Sequence, residues 1–332
     1  MAAKPAVLQE IESPSPAASL AGRDLCSVAD LTTDELAAIL DLAHDAKANP
    51  GAYRWALDAK QMVMFFEKAS LRTRLTFQTA MNTLGGSALF VDQTSSPLGE
   101  RESLADIARN VERWVQIIVL RTYAHDTITE MAQYASVPVV NALSDLEHPC
   151  QAIADFMTLQ ERFGDLTGFN FTYVGDGNNV CHSLMLTAAQ LGAHCTVGTP
   201  KNYAPKADIV AQARAIANVT GSNITLVNDP VAAVKDADAI YTDVCTSMGF
   251  EHEATKRAPI FKPYQVNETL MGYAAPSAVF MHCLPAHRNA EVTDAVLDGP
   301  QSVVFDQAEN RMHAQKALLL MLLGKGGRNQ VS

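Results

Sequence analysis

The chain has 332 residues, 48% of them hydrophobic, enough for two medium domains each with its own core. A formal charge of −11 excludes a general nucleic-acid binder, since only short local basic clusters oppose it. Six scattered cysteines without a C-x-x-C pair read as reduced intracellular thiols, the nine histidines show no metal-ligand spacing, and no apolar stretch is long enough to span a bilayer.

Residues 1–22, rich in Ala, Pro and Ser, read as a loose arm. Glu10 and Glu12 within it argue against an import presequence, which avoids acids, so the expected compartment is the cytoplasm. An amphipathic helix is predicted over 32–48. A buried strand follows over 61–66, where the run Met62-Val63-Met64-Phe65-Phe66 stops at Glu67-Lys68. Directly behind it, Ser70-Leu71-Arg72-Thr73-Arg74 opens a helix over 71–84. Ser70 is an N-cap candidate, and the residues after it offer free backbone N–H groups and the positive end of a helix dipole. Two arginines add permanent charge and forked donors suited to phosphate. Arg72 and Arg74 are two residues apart and point to roughly opposite sides of a helix, so one of them, Arg72, is expected over the ligand. The same stretch also fits two solvated arginines on a surface helix.

Further on, the pattern predicts a strand at 88–91, a helix at 103–114, strands at 117–120 and 138–140 around a helix at 127–134, and a long helix from 148 to 162. It then restarts. Strands are expected at 171–174, 195–197, 224–227, 239–241, 278–281 and 303–305, with helical stretches between them, one at 181–191 and a terminal helix at 308–322. Such alternation implies two doubly wound parallel sheets with ligands at the carboxyl ends of strands. Ser70, Arg121, Asn141, Asp176, Asp243 and His282 all fall at predicted strand ends.

Four further segments carry chemistry. Val174-Gly175-Asp176-Gly177-Asn178-Asn179-Val180 lies between strand and helix, but Val180 stands where a dinucleotide fingerprint needs its third glycine, and no acid marks the ribose position. In His148-Pro149-Cys150-Gln151, Pro149 suits a first helical position, and His148 and Gln151 share a face from which they could bond a carbonyl oxygen and an amide nitrogen. Asp243 ends a strand ahead of Ser247-Met248-Gly249. Such an acid is commonly a cap, but a cationic amino group needs a carboxylate, and a glycine-bearing loop can close over it. Cys283 sits in His282-Cys283-Leu284-Pro285, where a buried cysteine is most often an apolar filler.

Taken in order, Ser70 to Arg74, Arg121, His148 to Gln151, Asp243 to Gly249, His282 to Pro285 and Ala308-Glu309-Asn310-Arg311 resemble the carbamoyltransferases. The pairing of Ser-Met-Gly with His-Cys-Leu-Pro is most similar to the ornithine carbamoyltransferases. The resemblance runs from about Leu31 to Leu323. It implies a carbamoyl phosphate domain (23–150 plus 308–325), an ornithine domain (151–307), and a terminal helix packed on the first. It further implies that carbamoyl phosphate is held by Ser70, Leu71, Arg72, Thr73, Arg121, His148, Gln151, Cys283, Leu284 and Arg311, the last opening the terminal helix. Asn179, Asp243, Ser247 and Met248 would hold L-ornithine, with Arg121, His148 and Cys283 as the catalytic groups. No metal or organic cofactor is implied, and neither membrane nor nucleic acid is an expected partner. The family usually forms homotrimers, sometimes assembled further. An N-acylated ornithine or putrescine as acceptor, or a non-catalytic ligand-binding relative, are the alternative readings. Two residues depart from the family pattern, Leu71 in place of threonine and Pro97 in place of a glutamine or histidine.

Overall fold

The computed structural model describes residues 20–246 and 253–324. Strand β1 (Gln61–Phe66) is buried from Met62 onward, as a strand covered on both faces must be. It pairs in parallel with β2 (Ser87–Asp92) on one side and β3 (Ile117–Arg121) on the other, and β4 (Val139–Leu143) completes the order β2-β1-β3-β4. Helices α1 (Thr33–Ala48), α2 (Leu71–Thr83), α3 (Leu104–Val111), α4 (His125–Tyr134) and α5 (Pro149–Phe163) accompany this sheet. Thr32 caps α1 with a full capping box to Glu35.

A second all-parallel sheet has the order β7-β6-β5-β8-β9, formed by β5 (Asn170–Val174), β6 (His194–Gly198), β7 (Ile224–Val227), β8 (Ala239–Thr242) and β9 (Val279–Met281). Helices α6 (Asn179–Gln190), α7 (Ala207–Thr220), α8 (Pro230–Val234), α9 (Ala254–Phe261), α10 (Glu268–Met271) and α11 (Asp294–Leu297) belong to it, and α12 (Val304–Leu323) ends the fold. No helix among the described residues is long and apolar enough to cross a membrane.

Strand order reverses between β1 and β3 in the first sheet and between β5 and β8 in the second. Crevices at such switch points are where open parallel sheets bind ligands. The segments leaving β1, β3, β5 and β8 carry Ser70, Arg121, Asn178 and Asp243, so topology alone brings the anion-binding and acidic motifs to corresponding places.

Two helices join the halves. α5 turns Cys150, Ile153, Ala154 and Met157 into the first core and Ala152, Phe156 and Leu159 into the second. α12 lies back on the first sheet, its Ala314, Ala317, Leu318, Leu319 and Leu322 packed with Leu36, Met64, Phe66 and Phe77.

Three expectations need correction. Residues 303–305 are not a strand. Phe280 bridges Ser302 in parallel for one position, the Val303 N–H donates to the Phe280 carbonyl (3.0 Å), and the chain then winds into α12 with Phe305 exposed. Its β-branched residues suggested a strand, but packing against the first core decides the helix. Arg311 consequently lies two turns inside α12 rather than at its opening. Asn141 sits within β4 instead of at its end, its N–H bonded to the Leu25 carbonyl (2.8 Å) and its amide to the Cys26 carbonyl (2.8 Å). It holds the N-terminal segment along the sheet edge, away from the crevice.

Candidate active site

A cavity of about 390 Å³ opens at the facing switch points and is lined from both sheets. Its cationic wall starts at Ser70, whose hydroxyl caps α2 by accepting the Thr73 N–H (3.3 Å). Helix geometry leaves the first-turn N–H groups at Leu71 and Arg72 without intrahelical acceptors. Arg72 lines the cavity half-buried, whereas Arg74 points away, its guanidinium 3.9 Å above the Phe90 ring. The expected division between the two arginines holds. Arg121, at the end of β3, donates from Nε to the Lys68 carbonyl (3.2 Å). Arg311 is buried and reaches across from α12 to the Thr73 hydroxyl (2.8 Å) and the Gln151 carbonyl oxygen.

No carboxylate among the described residues forms an ion pair with Arg72, Arg121 or Arg311. Burial depresses all three guanidinium groups, and Arg121 is brought to about 10 by burial and by the neighbouring Arg311 and Arg72. Uncompensated positive charge beside a helix N-terminus suits an anion.

His148 caps α5, with Pro149 at the first helical position and Gln151 following in the same turn. The His148 N–H donates to Ser183 Oγ (2.9 Å), while its Nδ1 is buried without a protein partner. Burial, reinforced by Arg311 and Arg121, holds its imidazole far below the ordinary histidine value, so the ring is neutral. Gln151 donates through Nε2 to Asp155 Oδ1 (2.7 Å), which leaves its carbonyl oxygen directed to Arg311.

The opposite wall is acidic. Asp243, one residue past β8, accepts from Asn178 Nδ2 (2.7 Å) on one oxygen and from the Cys283 thiol (3.1 Å) on the other. Burial and Asp243 raise the Cys283 thiol well above its ordinary value, so it is a donor rather than a thiolate nucleophile. Leu284 lines the cavity with φ 56°, an uncommon left-handed conformation for a branched residue, held by its N–H bond to His282 Nδ1 (2.8 Å). Donor atoms of Asp243, His282 and Cys283 lie within 4.8 Å of one another. Those atoms are engaged without a metal, since Cys283 donates to Asp243, and His282 accepts from Leu284 with its Nε2 3.3 Å from Glu291.

The cavity therefore gathers Ser70, Leu71, Arg72, Thr73, Arg121, His148, Gln151, Asn179, Asp243, Cys283, Leu284 and Arg311. Ser247 and Met248 lie outside the described residues. Pro97 and Arg101 line a different cavity, beside Leu89 and Trp114 on the far side of the first sheet. Asn179 donates to the Ser144 carbonyl (2.6 Å), and it is Asn178 that touches Asp243. In sequence, Asn178 reads as a mere turn residue at a strand-to-helix corner, although its place as N-cap of α6 was a usable signal. Sequence reading passed over Asp155, which follows Gln151 by one helical turn and could have been suspected as a buried acid on the same face.

Two family models match this chain. "Aspartate/ornithine carbamoyltransferase, carbamoyl-P binding domain" covers residues 23–161, and "Aspartate/ornithine carbamoyltransferase, Asp/Orn binding domain" covers 167–322. The ornithine carbamoyltransferase of Pyrococcus horikoshii is 50% identical over 308 residues, covering 92% of this chain and 97% of its own. That of Bacillus subtilis is 46% identical over 308 residues, with coverages of 93% and 96%. The solved ornithine carbamoyltransferase of Pyrococcus furiosus aligns with a TM-score of 0.90 at 49% identity, over 93% of this chain and 99% of the other. The chain belongs to the aspartate/ornithine carbamoyltransferase family.

Proposed function

We infer that this chain is an ornithine carbamoyltransferase, moving the carbamoyl group of carbamoyl phosphate to the δ-amine of L-ornithine to give L-citrulline and phosphate. The carrying observation is a buried carboxylate, Asp243, set across one cavity from Arg72, Arg121 and Arg311. An aspartate acceptor would need a cation where Asp243 stands. Carbamoyl phosphate binds first, its phosphate on the α2 N-terminus and the three guanidinium groups. Arg121 and neutral His148 face the carbamoyl oxygen, and the Gln151 and Leu284 carbonyls accept from the carbamoyl nitrogen. Asp243 takes the α-ammonium of ornithine, with Asn179, Ser247 and Met248 completing that half of the site.

The neutral δ-amine attacks the carbonyl carbon, and the donors facing the oxygen stabilise the tetrahedral oxyanion. Phosphate leaves with its charge already met. As the new C–N bond forms beside Cys283 and the C–O bond to phosphate breaks, the amine proton passes to the departing phosphate. An alkyl ammonium titrates at about 10, so activity rises with pH through the neutral range. The chemistry calls for no metal or cofactor.

Residues 23–150 plus 308–325 serve as the carbamoyl phosphate domain and 151–307 as the ornithine domain. A cytoplasmic homotrimer is the assembly this reading favours. The exposed side chains Leu71, Leu75, Leu89 and Trp114 supply apolar surface on the first domain for it, and sedimentation at several concentrations measures the mass. Incubation with carbamoyl phosphate and either ornithine, N-acetylornithine or putrescine tests the activity. Citrulline from ornithine alone supports it. Product only from the other amines, or from none, overturns it.

A further inference from the structure

Asp155 lies on α5 one turn beyond Gln151, fully buried, and touches no part of the cavity surface. One of its oxygens accepts two hydrogen bonds, from Gln151 Nε2 (2.7 Å) and from Gln307 Nε2 (2.8 Å) on α12. A primary amide has a donor end and an acceptor end, and an ionised carboxylate only accepts. Asp155 thus fixes which way both amides face. The Gln151 carbonyl oxygen is turned to Arg311 and the site, and the Gln307 carbonyl oxygen receives the His282 N–H (3.0 Å), one residue before Cys283. The buried Tyr241 hydroxyl on β8 also bears on this carboxylate.

We propose that Asp155 is a positioning residue for carbamoyl transfer: it holds the Gln151 amide with its carbonyl toward the substrate, and through Gln307 it ties that orientation to the segment carrying Cys283 and Leu284. This rests on the carbamoyltransferase reading above. Were the Gln151 amide to turn over, its NH2 would meet the Arg311 guanidinium, donor against donor, and the acceptor for the carbamoyl nitrogen would be gone. Burial raises the Asp155 carboxyl to about 6, opposed by the bonds from Gln307, Gln151 and Tyr241 and by Arg311. Tyr241 from β8 and Cys283 after β9 are the other titratable groups that sense it. Protonation of this carboxyl therefore weakens the hold on both amides.

Steady-state citrulline formation by wild type and Asp155→Asn, with melting temperatures, tests this. At pH 8 Asp155→Asn should lower kcat about tenfold, the difference between a charge-assisted and a neutral hydrogen bond. The ratio of wild-type to variant rates should fall toward one as pH drops through about 6, a comparison in which ornithine ionisation cancels. In a Gln151→Ala background the same substitution should cost no more than about twofold, because its route to the substrate is already removed. Gln307→Met, which strips Asp155 of its other partner and keeps the charge, also frees the His282 N–H, so it should retain in Gln151→Ala a loss that Asp155→Asn does not. Unchanged kcat in folded Asp155→Asn, a pH-independent ratio, or an Asp155→Asn loss that multiplies with that of Gln151→Ala would overturn the proposal. Absence of citrulline from wild type would instead strike the functional reading itself.

Discussion

The two walls of the cavity are built on opposite principles. On the first-sheet side, charge is concentrated without compensation: Arg72, Arg121 and Arg311 sit beside a helix N-terminus, burial depresses all three guanidinium groups, and neighbouring arginines add to this at Arg121 and Arg311. On the second-sheet side the carboxylate of Asp243 is clasped from both flanks by Asn178 and Cys283. A wall of uncompensated positive charge suits a dianion that supplies the missing charge. A wall already hydrogen-bonded suits an acceptor molecule that brings its own ammonium. The difference teaches that the two walls suit ligands of opposite charge.

The largest effect should come from breaking the cationic wall. Arg72→Ala is expected to remove measurable turnover, since a charged hydrogen bond contributes about 1.5–3 kcal/mol and more in a dry transition state. Arg74→Ala serves as the contrast. It loses only its stacking on Phe90, worth about 0.5–1 kcal/mol at an exposed site, and should appear in the melting curve instead of the rate. Equal losses of carbamoyl phosphate binding in both variants, with equal melting temperatures, would refute the division of faces.

Next in size is a pH effect at the joint between the walls. Glu147 is buried and accepts from the Val28 N–H (3.1 Å), the Ser183 hydroxyl (2.9 Å) and the Ser27 hydroxyl, with its carboxyl raised by burial to about 7. Because the folded value lies above the unfolded one near 4.5, its contribution is fully present below about 4.5 and is lost as pH rises to about 7. The stability difference between wild type and Glu147→Gln should therefore shift against wild type by about 3 kcal/mol across that window. Parallel denaturation midpoints from pH 4.5 to 7.5 would show that the carboxyl titrates normally.

A smaller loss, about 2 kcal/mol in kcat/KM for ornithine, is expected from Asp243→Asn, which removes the charge facing the α-ammonium and keeps the shape. Initial rates at varied ornithine measure it, and an unaltered ornithine requirement would move the amino acid elsewhere. The smallest effect concerns Leu71, exposed at the mouth of α2 where a threonine hydroxyl would add a donor. Leu71→Thr should tighten carbamoyl phosphate by about 1 kcal/mol, and weaker or unchanged binding would show that the missing hydroxyl is already compensated.

Legibility in the sequence followed the range of the interactions. Ser70 and the opposed faces of Arg72 and Arg74 could be read because cap chemistry and helical period are local. The two sheets were legible because short apolar runs alternated with helical stretches, but the strand order, and with it both switch points, came only from the pairing. What escaped depended on distant partners. Val303 was read as strand because its helix is decided by the first core, far away in the chain. Asn141 was placed in the crevice because nothing local reveals that residues 25–26 pair with β4. Asp155 went unseen because its meaning lies in Gln307, 152 positions later. Arg311 was recognised by motif, but its place two turns inside α12, reaching Thr73 and Gln151, belongs to tertiary packing.

The independence of the two walls is tested most directly by titrating carbamoyl phosphate, without ornithine, into wild type, Arg72→Ala and Asp243→Asn by calorimetry. The account predicts that Asp243→Asn binds as wild type does, while Arg72→Ala weakens by about a hundredfold or more, as loss of charged contacts to a dianion requires. A collapse of carbamoyl phosphate binding in Asp243→Asn, or its survival in Arg72→Ala, would contradict the assignment of the walls.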